Sequence, residues 1–529
     1  MKRAALLLLI AAGCCTAQSA SVQNAIGFTN SLTNVLAPEM LATLTEANLI
    51  FDPYNITPAS VPASVFIRPA GTTAPIPVTE VSAIPGIVTF LVPAGIPYGT
   101  AQLYWQINGE PYQSINVTVA QTNFELARLG QAGPALARVA GPNGTATPLG
   151  LTTPAQPGQT VLLTGSGIGY GTQVMATLGG LPATVLYAGH DSPAGHDSIQ
   201  IQVPTGVATG CYVPLALTVG QMAVTSTISV TADGSPCQHP FQLSVNDMKT
   251  LDSGGWIAAG QIQMSTGLAA TLASAASRTE SVNIQFNELA AADVGSYFAP
   301  ANGIGACTAI SSQTGLIGVW RAGDFSVGLL SGIPVPAPPN PGPYMTLQNA
   351  AATINVPGSQ GYYGATLPAP QDGPLSDPPP PVIAGGKWTW NSPGSSDLAP
   401  SSFVFTLPAP LQINGGAPLS LARSQDQTFT WNGAGYDAAT TLTAFLNGHT
   451  SDGTGTRNVT CVVSASAGSL TIPAALLAPF PAASIGTLTV QISPAGASMP
   501  HALLKTRTGA TVLMLVSYTT SDNRPVDFQ

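Results

Sequence analysis

Charge is what this sequence has least of. Asp, Glu, Lys and Arg make up 7% of its 529 residues, against about 25% in an average globular chain. Long helices with Glu–Lys faces are therefore excluded over most of its length. The 14 Lys and Arg are scattered and the net charge is −9, so the basic footprint that displaces counterions from phosphates is missing and nucleic acid is ruled out as a partner. Catalytic signatures are absent too. There is no G-x-S-x-G elbow, no H-E-x-x-H helix and no nucleophilic Cys with a His motif beside it. Beyond the N-terminus no apolar run approaches the roughly 20 residues of a membrane helix, because Val512 to Val516 is short and Pro473, Pro479 and Pro481 break the other candidate. The reading is of a protein that is not an enzyme and needs no cofactor or metal.

What is present instead is Gly (56) and Pro (48), with polarity supplied by Thr, Ser, Asn and Gln. Short β-branched strands between Gly and Pro turns suit this mixture, which predicts an all-β chain. Met1-Lys2-Arg3 followed by the apolar run Ala4 to Ala12 and small residues through Ala17 reads as a secretory signal peptide over 1–17. Ala11-Ala12-Gly13-Cys14 also resembles a bacterial lipobox, with Ala11 where Leu is usual, and offers Cys14 as a lipid anchor. Both readings imply a secreted or cell-surface bacterial protein. Cys211, Cys237, Cys307 and Cys461 remain. An even number in an exported chain favours two disulfides over a metal clip, since no C-x-x-C occurs.

A repeat organises the first half. Val92-Pro-Ala-Gly95 followed by Gly99 returns as Val203-Pro-Thr-Gly206 followed by Gly210, 111 residues later, and Gly109, Val117 and Val119 match Gly220, Ile228 and Val230 at the same offset. Two modules follow, 21–121 and 123–233. Each closes with a hairpin, Ala101 to Ile107 with Ser114 to Val119 around Asn108-Gly109, and Tyr212 to Val219 with Val224 to Val230 around Gly220. About seven short strands in some 110 residues is the density of an immunoglobulin-like sandwich. A short helix is predicted at Pro38 to Asn48. The order PGQTVLLTGSGIGYG, GGLPATVLYAG and VPTGVATGCYVPLALTVG resembles the IPT/TIG type of immunoglobulin-like module, and is similar to paired modules of secreted acidobacterial proteins. That resemblance spans about Ser21 to Asp233; it implies fold and export and transfers no catalytic residue.

After Ser235 the repeat is lost while the composition persists. Phe241 to Val245, Val282 to Phe286, Leu316 to Trp320 and Phe325 to Leu329 read as strands, and Gly267 to Ser277 as a short Ala-rich helix. Pro334 to Pro343 and Pro374 to Pro381 cannot donate ladder hydrogen bonds and read as connectors. A β-rich unit over 235–395 and a β-sandwich over 396–529 are expected, with the boundary between Asn391 and Ala399. Cys237 lies just past the strand that returns beside Cys211, so local closure predicts Cys211–Cys237, which leaves Cys307 for Cys461.

Few motifs carry chemistry. Gly165-Ser-Gly167-Ile-Gly169-Tyr-Gly171 looks like a phosphate loop, but the next segment, Gln173 to Leu178, reads as a strand rather than the helix such a loop requires; a corner between sheets is the better reading. His190-Asp191 and His196-Asp197 supply imidazoles and carboxylates that a divalent metal accepts, yet Gly189, Pro193 and Gly195 around them predict solvated turn residues. His239, His449 and His501 read as isolated surface or capping residues. Trp388 and Trp390 share one face of a strand; buried they are core, exposed they are a stacking platform for sugars, and the core reading is preferred. Tyr104 and Trp105 alternate, so one of the two faces solvent. The sequence thus points to a structural or adhesive array of tandem immunoglobulin-like β-sandwiches, partnered by polysaccharide or other envelope proteins, with a carbohydrate-binding protein as the rival.

Overall fold

In a computed structural model, residues 20–26, 32–45, 63–84, 87–107, 112–130, 132–141, 144–273, 275–299, 306–312, 342–359, 362–367, 373–375, 377, 380–415, 419–437, 440–449, 456–493 and 496–529 are described. The signal segment with Cys14, the Asn108-Gly109 turn and the stretches Leu316 to Trp320 and Phe325 to Leu329 lie outside them. The chain is all-β, with three short helices and two 3-10 turns among its described elements.

The first module folds as two sheets. Ser21–Asn24, Leu41–Thr45, Ile87–Leu91 and Thr79–Ile84 form one in that order; Val35–Leu36, Gln113–Val119, Gly99–Ile107, Ala63–Pro69 and Ile76–Pro77 form the other. Every second residue points inward, so Val22, Leu44 and Phe90 of one sheet meet Ile67, Leu103, Trp105 and Val117 of the other. The helix predicted at Pro38 to Asn48 is instead the strand Leu41–Thr45, paired on both sides. A short Leu-Ala-Thr-Leu-Thr run has no helical period long enough to decide, and its position between two strands decides for it.

The second module repeats the plan. Ala137–Ala140, Thr160–Ser166, Asp197–Gln202 and Leu181–His190 neighbour one another, and Leu181–His190, Val174–Leu178, Gly210–Val219 and Met222–Val230 continue on the other side of the core. Leu181–His190 serves both sheets. Its first residues pair with Val174–Leu178 and its later ones with Asp197–Gln202, past a register shift between Val185 and Tyr187. The strand beside the closing hairpin starts at Ala63 in the first module and Val174 in the second, again 111 residues apart, and each closing hairpin pairs antiparallel in the same topology. Immunoglobulin-like β-sandwich repeats are therefore real here.

From Ser235 the architecture departs from expectation. The Ala-rich stretch Gly267 to Ser277 is no helix; it joins Ile257–Ala270 and Ala275–Leu289, a long hairpin with fourteen paired positions. Its alternating burial, polar against apolar, is a strand pattern that Ala content alone hides. The strand Thr511–Phe528 runs parallel to Ile257–Ala270 over residues 512–523 and antiparallel to Ser484–Ser493 over residues 520–528. One core gathers residues between Ile262 and Leu407 with Val512 to Tyr518; the next gathers residues between Leu411 and Ile492 with Val526 and Phe528. The division expected at 395/396 is corrected accordingly: Ser401–Leu407 pairs with Gly386–Ser392 in the earlier core, the chain crosses near 408–410, and Thr511–Phe528 belongs to both.

Candidate functional site

The indole pair is core. Trp388 and Trp390 are both fully buried, with Nε1 of Trp388 donating to the Ala384 carbonyl (3.0 Å) and Nε1 of Trp390 to Met345 Sδ (3.3 Å). Fully buried and packed at a tilt on Phe403, 5.6 Å between ring centroids, Trp390 has no face left for a sugar. The platform reading is thereby withdrawn. Both disulfides are present, Cys211–Cys237 and Cys307–Cys461. The first lies in the apolar cluster where the second module meets the following unit; the second joins directly opposite positions of Ala306–Ser312 and Thr456–Ser464.

The Gly-rich corner and the His/Asp pair converge on the joint between the first two modules. Gly167 (φ +88°) and Gly169 (φ +66°) bring the corner so close to residues 121–123 that a Cβ at Gly169 would lie 1.7 Å from the Gln121 carbonyl oxygen. Buried Asn24 donates from Nδ2 to the Asn123 and Ser166 carbonyls, both at 2.9 Å. Asn123, equally buried, accepts from the Leu32 amide at 2.7 Å and donates to the Leu32 and Val35 carbonyls. Ser166 Oγ accepts from the Leu41 amide at 2.9 Å. A polar network around three buried side chains thus welds one sandwich to the next.

Beside it lie Glu39 of the first module and Tyr170, His190 and Asp197 of the second. His190 Nδ1 sits 2.7 Å from Asp197 Oδ1, its Nε2 is 3.2 Å from Glu39 Oε2 without the alignment of a hydrogen bond, and the Tyr170 hydroxyl donates to Glu39. Burial raises the Asp197 carboxyl to about 6 against the opposing Ile168 N–H and His190, and the hydrogen bond to Glu39 raises the Tyr170 phenol to about 12. His190 and Asp197 are joint residues, not the solvated turn expected of them. Among the described residues no group of three or more His, Cys, Asp or Glu is arranged to hold a metal ion.

A second joint involves His239, which is buried and not at the surface. Its Nδ1 accepts from the Phe241 amide (3.1 Å) and its Nε2 faces the Tyr212 hydroxyl (2.9 Å), and Tyr212 stacks on Phe298 at 4.2 Å. Burial, aided by His501, lowers the His239 imidazole to about 4. Asp252 caps the same joint, accepting from the Leu151 and Thr152 amides at 2.9 and 2.8 Å. Glu39, Asn24 and Asn123 escaped the sequence reading because nothing local marks a residue whose partner is a hundred positions away.

An open groove lies on the first module. Trp105 is buried while Tyr104 faces outward, in line with the alternation. Outward residues of Ala63–Pro69, Gly99–Ile107 and Gln113–Val119 form cross-strand rows, Arg68–Gln102–Asn116 and Phe66–Tyr104–Ser114. Arg68 lies over the Tyr104 ring at 4.7 Å, and its Nη2 donates to Gln102 Oε1 (2.7 Å) and to the Tyr104 hydroxyl. A groove of about 300 Å³ opens over the Arg68 row, bounded by the turn through Gly71. Its signal was in the sequence, in the period-2 spacing of Phe66 with Arg68 and of Gln102 with Tyr104.

No protein-family model matches the chain, and no curated protein matches it. Among solved structures it is similar to a Bacteroides ovatus mixed-linkage glucan utilization locus protein, SGBP-B, in complex with a mixed-linkage heptasaccharide (12% identity, 84% of this chain and 88% of that one, TM-score 0.15). It is also similar to a tetra-tandem repeat from the extending region of a large adhesion protein (14%, 93% and 98%, TM-score 0.15) and to domains 5–6 of the S-layer protein SbsC (12%, 41% and 98%, TM-score 0.18). At such TM-scores no superposition of whole chains is implied.

Proposed function

We propose that this chain is a non-catalytic, exported array of β-sandwiches with a structural or adhesive role at the bacterial cell envelope or in the extracellular space. One observation carries the reading: the first joint is built from fully buried amides, Asn24 and Asn123, each bonded across the module boundary. Separating the modules would orphan those groups, at about 1–3 kcal/mol apiece, so the joint acts as a stiff coupling and suits a spacer that holds its ends apart. The two disulfides fit an oxidising compartment, and no described helix is long and apolar enough to cross a membrane. The amino-terminal segment supports export, with Cys14 as the proposed point of lipid attachment, and the IPT/TIG resemblance of residues 21–233 fits the same setting. Polysaccharide or another envelope protein is the proposed partner.

The test has two parts. Intact producing cells are labelled with antibody or shaved with protease; labelling is expected, and confinement to the cytoplasm would overturn the assignment. Purified chain is examined by small-angle scattering, alone and as Asn123→Ala. A single well-defined maximum dimension that broadens in the variant is expected, while a wild type that scatters as freely jointed beads would remove the argument from stiffness.

A further inference from the structure

The outer face of the first module's Gly99–Ile107 sheet combines a concave surface, a cation without a carboxylate and open aromatic area. We infer that it binds an acidic polysaccharide, gripping uronate carboxylates through Arg68. The inference deepens the envelope reading above by naming a ligand class and the place that takes it.

Arg68 has no carboxylate ion pair among the described residues, whereas Arg128 and Arg524, whose side chains are buried, each have one. Its two hydrogen bonds run through Nη2 alone, to Gln102 and Tyr104. They fix the guanidinium plane across the strands and leave Nη1 and Nε to donate single charge-assisted hydrogen bonds to a carboxylate. A half-exposed position suits the task, because the charge stays solvated until a ligand arrives. The same groove presents Thr100 and the exposed amide of Asn116, groups able to bond sugar hydroxyls.

Along the strands the next row, about 7 Å away, is aromatic. Phe66 lies beside Tyr104, and Tyr112, 56% exposed, contacts Phe66 at 6.2 Å between ring centroids. An extended sugar chain lying along the strands would meet a carboxylate grip first and then a surface for its C–H faces. A macromolecule with dispersed negative charge suits a single fixed cation better than nucleic acid, whose phosphates demand a basic patch this net-negative chain lacks. The open side of the groove, at the Gly71 turn where a Cβ would meet nothing within 4 Å, leaves a polymer room to run past.

The test is affinity electrophoresis of the full chain through gels containing polygalacturonate, alginate or a glucuronate polymer, with neutral galactan as the control. Retardation by at least one uronate polymer, absent in galactan and weakened by salt, is expected. Arg68→Gln is expected to weaken binding about tenfold or more, Arg68→Lys less, and Tyr112→Ala about threefold, all with melting temperatures close to the parent's. Should Arg68→Gln fail to fold, Asn116→Ala at an exposed position carries the test, with a loss of a fewfold expected. No retardation by any uronate polymer, equal retardation by galactan, or parental binding by the folded variants would overturn the inference. A chain that is surface-labelled and stiff but not retarded loses only its ligand; one that is retarded yet confined to the cytoplasm loses only its setting.

Discussion

Trp388 and Trp390 illustrate what a single residue reveals in sequence and what it withholds. Their spacing put both indoles on one face, and that was legible; which face was buried depended on Met345, Phe403 and the Ala384 carbonyl, contributed by other segments. Trp388→Ala and Trp390→Ala are each expected to cost about 3–5 kcal/mol in chemical denaturation, with polysaccharide binding by the still-folded fraction unchanged. Unaltered stability would mean the indoles are not core. The joint residues were not legible for a different reason. His190 and Asp197 stood out only as a local pair, whereas Glu39 arrives from 151 residues upstream, and no period or spacing announces such a meeting. Arg68 lies between: its outward position follows from strand alternation, but its lack of a carboxylate partner is a property of the assembled face.

Among elements, hairpins were read well because their register is set by short loops and alternation. The parallel pairing of Ile257–Ala270 with Thr511–Phe528 was not, since it joins segments some 250 residues apart and carries no turn to betray it. That C-terminal strand also holds a buried ion pair. Arg524 is bidentate on Asp522 at 2.6 and 2.8 Å and reaches the Ile413 and Gly415 carbonyls, while Asp522 accepts from the Ile413 amide. The pair clips the 411–415 segment where one core gives way to the next. Asp522→Asn or Arg524→Met alone is expected to destabilise by about 3–5 kcal/mol, because each leaves a buried group uncompensated, and the double replacement by less than the sum. A double-mutant cycle measures the coupling; additive losses would show the two side chains to be independent. For the disulfides, loop entropy sets upper estimates of about 3.5 kcal/mol for Cys211–Cys237 and about 5 for Cys307–Cys461. Paired Cys→Ser variants are expected to lose up to these amounts in denaturant titrations, the second pair more than the first.

At the scale of the whole molecule the two joints answer acid in opposite senses. Asp197, raised to about 6, holds in the folded state a proton that the unfolded chain has already released between about pH 4 and 6; its contribution is present at low pH and lost as pH rises through 6. His239, lowered to about 4, stays neutral when folded while the unfolded imidazole protonates near 6.5; its contribution is present above 6.5 and lost as pH falls toward 4. The two therefore offset each other across the same window. Relative to the parent, Asp197→Asn is expected to lose stability more steeply on acidification from pH 6.5 to 4, and His239→Gln to gain it. Thermal unfolding across that range checks both, and parallel pH profiles for the two variants would contradict the assignment.

Thr511–Phe528, shared by two cores, also fixes an order of events during synthesis. A ribosome or translocon delivers the sandwiches of residues 21–233 with every partner strand already at hand, so they can close in turn as they emerge. The hairpin Ile257–Ala270 with Ala275–Leu289 and the strand Ser484–Ser493 must wait, edges open, until residues 511–528 arrive between them. A nascent chain halted at residue 510 would carry two finished sandwiches and a tail exposing two unpaired sheet edges, a ready target for chaperone or protease. Arrival of Thr511–Phe528 thus closes both waiting edges together.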